Sequence, residues 1–337
     1  MSHNKIVTLK SHIDGAPRAE NFETVDAPMP ETPDGGLLVR TIYLSLDPYL
    51  RGAISGRHMS NPDGVPIGGG IPGRSIGQVV ASDSADFSPG DYVEAETGWA
   101  AYAGCPVEST RKIHDDWRPL SANLGPLGMP GLTAHSGMAR LANVAEGDTV
   151  LVSAASGAVG GAVGQIAKIK GARVIGVAGS DEKCKVVTQA YGFDACVNYK
   201  KERWTEELKS LAPDGYSVYF DNVGGEMLNV ALSQMALNGR VILCGLISQY
   251  NDDTPPPGPN PGIYIGKRLH LMGLVVYDFY HERDAYAALA AGWMREGKLK
   301  ILEDRAEGLE NAGALFEKLM TGGNIGKPIV VVGPEAV

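Results

Sequence analysis

Cysteine, excess positive charge and long apolar runs are all scarce in this chain of 337 residues, and each shortage removes a class of function. The four cysteines, Cys105, Cys184, Cys196 and Cys244, are scattered, with no CxxC spacing and no Cys/His pair at metal-ligand separation. No metal site is therefore predicted, and each cysteine reads as a small apolar residue. Acidic residues outnumber basic ones, 39 to 30, and no basic cluster interrupts the net charge of −9, so nucleic acid is not an expected partner. No stretch approaches the roughly 18 uninterrupted apolar residues of a membrane span. Residues 1–13, with His3, Lys5 and Lys10, lack the apolar core of a signal peptide. A cytoplasmic protein acting on a small molecule is the expectation. Internal repeats are absent, and the one biased tract is the Pro-rich loop of residues 255–261.

What is present begins with size, since 337 residues exceed one ordinary core and predict two domains. The strongest signal is residues 150–164, Val-Leu-Val-Ser-Ala-Ala-Ser-Gly-Ala-Val-Gly-Gly-Ala-Val-Gly, where an apolar run breaks into glycines and resumes at helical spacing. It reads as strand, tight turn, helix. Gly157 and Gly160, with Ala158 and Val159 between them, would let the backbone approach a pyrophosphate at the helix N-terminus. Gly161 and Gly164 would let the helix pack against its strand. With 44 glycines in the chain this spacing alone is weak, but Gly171 ends the helix and residues 172–177 give a second apolar run. The unit is a βαβ crossover of about 30 residues.

An NAD-binding domain carries Asp or Glu at the tip of that second strand, for the ribose 2′-hydroxyl. Here the chain reads Ala178-Gly179-Ser180. The tip is neutral, Ser180 is placed to cap the next helix, and Lys183 is near enough to meet a 2′-phosphate. NADPH is favoured over NADH.

Residues 5–107 show short β-like runs, such as 36–45 and 76–81, separated by Pro/Gly/Asp turns, so the front of the chain reads as all-β. Helical patterning begins near Gly125, and strands alternate with helices to about Val276, with residues 217–221 and 240–245 as further parallel strands. The tail returns a helix over 309–321 and a strand over 327–332. Residues 269–276 read as a final strand, apolar on both faces, which at a sheet edge would pair with a two-fold mate in a homodimer. Residues 55–73, rich in Gly and Pro, read as a mobile loop over the substrate. Asp47-Pro48-Tyr49 ends a β-run and makes Tyr49 the first candidate for a substrate-facing hydroxyl.

The segments Leu46-Asp-Pro-Tyr-Leu-Arg, Gly128-Met-Pro-Gly-Leu-Thr-Ala, Ala154-Ala-Ser-Gly-Ala-Val-Gly, Gly179-Ser-Asp-Glu-Lys, Tyr219-Phe-Asp-Asn-Val-Gly-Gly, Cys244-Gly-Leu-Ile-Ser-Gln-Tyr-Asn and Asn324-Ile-Gly-Lys carry a resemblance over essentially the whole chain. It resembles the zinc-independent medium-chain dehydrogenase/reductases, and most closely the NADPH-dependent alkenal/one oxidoreductases that include the prostaglandin and curcumin reductases. The resemblance implies an α/β fold, a Rossmann doubly wound parallel sheet plus a GroES-like β-barrel catalytic domain. It divides the chain into residues 1–125 (GroES-like), 126–298 (Rossmann) and 299–337 (returning to the first domain), with the active site in the cleft between domains.

Carried onto this sequence, it implies that Gly157 to Gly160 wrap the pyrophosphate, that Lys183 and Tyr199 contact the 2′-phosphate, and that Asn222 meets the cofactor after the fourth strand. Cys244 to Tyr250, including Gly245 and Ser248, would line the adenosine and nicotinamide-ribose side. Leu274, Val275 and Val276 would back the nicotinamide, and Asn324 would reach in from the tail. A tyrosine that some relatives carry before the last Rossmann strand falls on Gly266 here, with Tyr264 two residues away. Tyr49, Tyr250 and Tyr264 therefore all stand as catalytic candidates, and the proton donor stays open.

Without a zinc ligand set, no Lewis acid is on hand to polarise an alcohol or carbonyl oxygen. Hydride addition to the β-carbon of an enal or enone needs less, because a few hydroxyl donors suffice for the enolate. The sequence thus points to an NADPH-dependent 2-alkenal/enone reductase, with a zinc-independent quinone reductase and a low-turnover NADPH-binding redox sensor as alternatives.

Overall fold

The computed structural model describes residues 3–252, 254 and 256–335, and these divide into two units: one runs up to Leu124 and resumes at Glu303, the other is Gly125–Leu302. Of the segments singled out above, Met1 and Ser2 at the N-terminus and Pro255 of the Pro-rich loop lie outside the described residues. Among the described residues no helix is long and apolar enough to cross a membrane.

The first unit opens with an antiparallel pair, β1 (Asn4–Leu9) and β2 (Phe22–Ala27). Its main sheet is built on β3 (Leu37–Ser45), whose Leu37, Val39, Ile42 and Leu44 are fully buried. The short helix α1 (Leu50–Ile54) follows, and then β4 (Ser75–Ser82), β5 (Tyr92–Ala95), β6 (Tyr102–Cys105) and β7 (Arg111–Lys112). Strand β4 lies along one edge of β3, while β6 takes the first half of the other edge. The loop over 55–73, expected to be mobile, is tied down: Val65 N–H donates to Ile54 O (2.9 Å), Gly68 N–H to Leu9 O (2.7 Å) and Leu9 N–H to Gly69 O (2.9 Å).

The second unit carries α2 (Met129–His135), then six parallel strands: β8 (Thr149–Val152), β9 (Arg173–Ala178), β10 (Ala195–Asn198), β11 (Tyr216–Asp221), β12 (Met235–Leu243) and β13 (His270–Gly273). Their spatial order is β10-β9-β8-β11-β12-β13. That is the dinucleotide-binding order, which reverses direction between β8 and β11. The crossovers hold α3 (Ala158–Ile169), α4 (Asp181–Gln189), α5 (Trp204–Leu211), α6 (Gly225–Ser233) and α7 (Gly262–Lys267), with α8 (Arg283–Arg295) after β13. One face of the sheet buries Leu151, Val177, Val197, Tyr219 and Val241 under Leu208, Leu228 and Leu232. The buried parallel strands explain the near-continuous apolar runs of the sequence.

Two details differ from the sequence reading. Gly161 and Gly164 do not bring α3 onto a strand backbone: a Cβ there would fall 2.6 Å from the Tyr191 ring and 1.8 Å from the Phe193 ring. The glycines make room for aromatics that follow α4. The last strand, read over 269–276, stops at Gly273, because Val276 already starts a helical turn.

The tail rejoins the first unit as β14 (Glu303–Glu307), α9 (Ala312–Met320) and β15 (Lys327–Val331). Strand β15 pairs antiparallel with the second half of β3, beside β6, and β14 pairs parallel with β15. The sheet path is β14-β15-β3-β4-β5-β7, and among the described strands no pair joins its two ends. Where a closed barrel was expected, the sheet is open and branched.

Candidate functional site

Because all six strands of the second unit run parallel, their carboxyl ends share one edge, where doubly wound sheets bind ligands. Fourteen residues singled out from the sequence leave that edge: Gly157, Ala158, Val159 and Gly160 after β8, Lys183 after β9, and Tyr199 after β10. Asn222 follows β11, Cys244, Gly245, Ser248 and Tyr250 follow β12, and Leu274, Val275 and Val276 follow β13.

After β8 the left-handed residue is Ala154 (φ 48°), not a glycine, while Gly157 caps α3 in an extended conformation (φ −82°, ψ 176°). A left-handed alanine costs about 1–2 kcal/mol, strain of the kind that collects at functional turns. Gly157 N–H holds it by donating to Ala154 O (2.9 Å). A Cβ on Gly160 would lie 2.3 Å from that same oxygen, so Gly160 is what lets the turn close on the helix. A Cβ on Gly157 would meet only Ala154 O, at 3.2 Å, leaving its outer side open. The first intrahelical bond runs from Gly161 N–H to Gly157 O (2.9 Å), with the N–H groups of Ala158, Val159 and Gly160 ahead of it. An open glycine face before the N-terminus of a twelve-residue helix fits a pyrophosphate.

The neighbouring turn is organised by Asp221, which the sequence reading missed. Fully buried, it accepts from Tyr219 OH (2.6 Å), Val223 N–H (3.0 Å), Gly224 N–H (3.1 Å) and Ser153 Oγ (3.2 Å). Asn222 locks the two turns across the switch point: its N–H donates to Ser153 Oγ and its Nδ2 to Ser153 O, both at 2.9 Å. The loop after β12 is sewn to the same place, with Cys244 N–H on Asp221 O (2.9 Å) and Ser248 Oγ on Val223 O (2.6 Å). Burial pushes the Cys244 thiol up to about 12, which removes it as a nucleophile.

At the tip of β9, Ser180 Oγ accepts from Lys183 N–H (3.2 Å) and caps α4. The Tyr199 ring lies over Gly179, where a Cβ would come 3.3 Å from its hydroxyl. Asp181 is bonded to Asn198 Nδ2 (3.1 Å) and Lys201 Nζ (2.8 Å), and the Lys201 hydrogen bond holds its carboxyl below the usual range. Half-buried Lys183 and exposed Tyr199 thus flank a corner in which the Asp181 carboxylate is already paired. That chemistry suits a phosphate on the ribose.

The tyrosines separate. Tyr250 turns its hydroxyl into its own loop, accepting from Leu246 N–H (3.2 Å), and burial raises its pKa. Tyr264 stands apart from the carboxyl edge: it packs from α7 against the sheet core, one turn before Lys267, whose Nζ bonds Met235 O at the start of β12. In the first unit, Tyr49 follows β3, with its ring 5.0 Å from that of His58. The Asp47-Pro48-Tyr49 turn is fixed by Lys327, a fully buried ammonium that donates to Asp47 Oδ1 (2.6 Å) and Leu46 O (2.8 Å). Ser45 Oγ bonds the other carboxylate oxygen of Asp47. Asn324 precedes β15 at this same end of the sheet and donates to Gly326 O (2.9 Å). Lys327 was also missed, although a lysine opening an apolar strand is itself a signal.

A family model described as the N-terminal domain of oxidoreductase matches residues 5–113, and one described as zinc-binding dehydrogenase matches residues 158–292. Prostaglandin reductase 1 of Bos taurus is 44% identical over 98% of this chain and 99% of its own. The chain belongs to the medium-chain dehydrogenase/reductase family. Within the family it is also similar to the NADP(+)-dependent 2-alkenal reductase of Nicotiana tabacum, 40% identical over 98% of each chain. The structure of CurA from Vibrio vulnificus in complex with NADPH superposes with a TM-score of 0.91 at 38% identity, covering 98% of this chain and 99% of that one. Although one matching family model is described as zinc-binding, no group of three or more His, Cys, Asp or Glu residues able to hold a metal occurs among the described residues.

Proposed function

We propose that this medium-chain dehydrogenase/reductase is an NADPH-dependent 2-alkenal/enone reductase that saturates the carbon–carbon double bond of α,β-unsaturated aldehydes and ketones, acting as a cytoplasmic homodimer without a metal. The observation that carries the cofactor is the β9 tip, neutral at Ala178-Gly179-Ser180 and flanked by Lys183 and Tyr199. The substrate class is supported by the prostaglandin and 2-alkenal reductases at 44% and 40% identity.

Bound here, NADPH supplies the hydride. The N–H groups of residues 158–160 take the pyrophosphate, Lys183 and Tyr199 the 2′-phosphate, and Asn222 with the 244–250 loop shapes the ribose wall. Leu274, Val275 and Val276 back the nicotinamide through main-chain groups, and Asn324 approaches the cofactor from the tail. Tyr49 donates a hydrogen bond to the enolate oxygen. Tyr250 holds its loop and Tyr264 packs, so α-carbon protonation falls to Tyr49 or to water. A panel of enals, enones and quinones, followed by loss of NADPH absorbance, tests the reading; turnover of quinones alone would replace it with a quinone reductase.

Lys183→Ala should weaken NADPH binding roughly tenfold or more, since a charge-assisted phosphate contact contributes about 1.5–3 kcal/mol, and should barely affect NADH. Equal losses for the two cofactors in titration calorimetry would remove the 2′-phosphate assignment. Elemental analysis should find no stoichiometric zinc, and a chelator should leave the rate intact; activity lost to the chelator and restored by zinc would refute the metal-free mechanism.

The homodimer reading rests on β13, whose outer edge no strand covers among the described residues, with Val275 and Tyr277 exposed just beyond it. Light scattering should return twice the chain mass at micromolar concentration, and a monomer there would contradict it.

A further inference from the structure

Away from the residues given roles above, the fold brings two of the four thiols together. Cys184, in the first half of α4, and Cys196, in β10, hold their sulfurs 2.9 Å apart, closer than two thiols pack without a hydrogen bond between them. Both side chains are half-buried, within reach of a small solute, whereas Cys105 is buried in the first unit. The bond polarises the pair: it pushes the Cys184 thiol below its ordinary range, and Cys196 holds its proton more tightly. Cys184 also sits in the first turn of the capped helix α4, where the N-terminal N–H groups favour a thiolate, so it stands as the nucleophile and Cys196 as the resolving thiol.

We propose that Cys184 and Cys196 form a dithiol site that hydroperoxides close to an intrachain disulfide, and that closure weakens NADPH binding. The Cys184 thiolate attacks the terminal peroxide oxygen, the O–O bond breaks, and a sulfenic acid forms as hydroxide or alkoxide leaves and is protonated. The Cys196 sulfur then attacks the sulfenic sulfur, releasing water and forming the S–S bond. Two electrons pass from the two sulfurs to the peroxide. The consequence for the cofactor rests on the 2′-phosphate reading above. Cys184 follows Lys183 directly in the turn that Ser180 caps, and Cys196 lies three residues before Tyr199. The Asp181 bonds to Asn198 in β10 and to Lys201 just after it tie the start of α4 to the same strand, so a covalent link between α4 and β10 shifts Lys183 and Tyr199 relative to each other.

The test uses reduced, NADPH-free protein, stoichiometric hydrogen peroxide, and mass spectrometry after alkylation. The chain should become about 2 Da lighter with two fewer alkylatable thiols. Trypsin should release the Cys184-Lys185 dipeptide cross-linked to the peptide of residues 186–200. Cys184→Ser or Cys196→Ser should abolish the cross-link, Cys105→Ser should not, and Cys196→Ser should accumulate a dimedone-trappable sulfenic acid on Cys184. NADPH affinity of the oxidised chain should fall about tenfold and recover with dithiothreitol, with NADH unchanged. Two thiols that stay alkylatable, or a cross-link to Cys105, Cys244 or another chain, would overturn the site. A disulfide that leaves NADPH affinity unchanged would overturn the coupling. The mass readout does not depend on the cofactor, and Lys183→Ala tests the 2′-phosphate reading separately.

Discussion

Asp221→Ala should destabilise the second unit by about 3–5 kcal/mol, seen as a large drop in the urea midpoint of unfolding. The carboxylate sits with no exposure at the end of β11 and satisfies donors from Tyr219, Val223, Gly224 and Ser153. Each buried donor left without a partner costs about 1–3 kcal/mol, and alanine offers none of them an acceptor. Asp221→Asn keeps the volume and one carbonyl oxygen, so its loss should be about half as large. The alanine variant should also bind NADPH poorly, because Ser153 Oγ, which accepts from Asn222 N–H across the switch point, loses the carboxylate that orients it. Midpoints for both variants within error of the parent chain would show that the turn is held elsewhere.

That residue illustrates what the sequence conceals. Asp221-Asn222-Val223-Gly224-Gly225 reads locally as a turn, since Asp, Asn and Gly favour turns for their own backbone bonding. The side chain's role is set by Ser153, 68 residues away, which the parallel sheet alone brings alongside. Lys327 is hidden in the same way, its partner Asp47 being 280 residues distant. By contrast the glycine turn between β8 and α3 and the neutral β9 tip were legible, because a βαβ unit builds them from residues close in sequence. The gathering of six loops at one edge follows from strand order, which alternating strands and helices make predictable.

The fold was legible where burial writes a pattern and lost where it does not. Strands β8, β9 and β11 are apolar runs with nearly every residue buried, and the sequence marks all three. Strand β14, Glu-Asp-Arg-Ala-Glu, lies at an edge with alternating exposure and shows no such pattern, so only its partner β15 was anticipated. The open sheet of the first unit has the same origin, its outermost strands being the ones with least apolar content. Gly161 and Gly164 show a subtler limit: the sequence says that something approaches α3 closely, and only the structure says that it is Tyr191 and Phe193.

With NADPH deuterated at C4, the label should appear on the β-carbon of a saturated aldehyde or ketone, and no allylic alcohol should form. The residues explain why the double bond, rather than the carbonyl, is the expected target. On the proposed reading the oxygen is polarised by hydrogen-bond donors, which suffice for an enolate but activate a carbonyl weakly for direct attack. Tyr49 is the proposed donor. The turn that carries it is clamped through Asp47 by the buried Lys327 ammonium, so its backbone is fixed before substrate arrives. Tyr49→Phe should therefore lower kcat/KM by about 10²-fold, in line with removal of one oxyanion donor, and leave NADPH affinity unchanged. A loss confined to stability would reduce Tyr49 to packing against His58. Deuterium on the carbonyl carbon of an allylic alcohol would refute the double-bond reading, whichever way the tyrosine variant behaves.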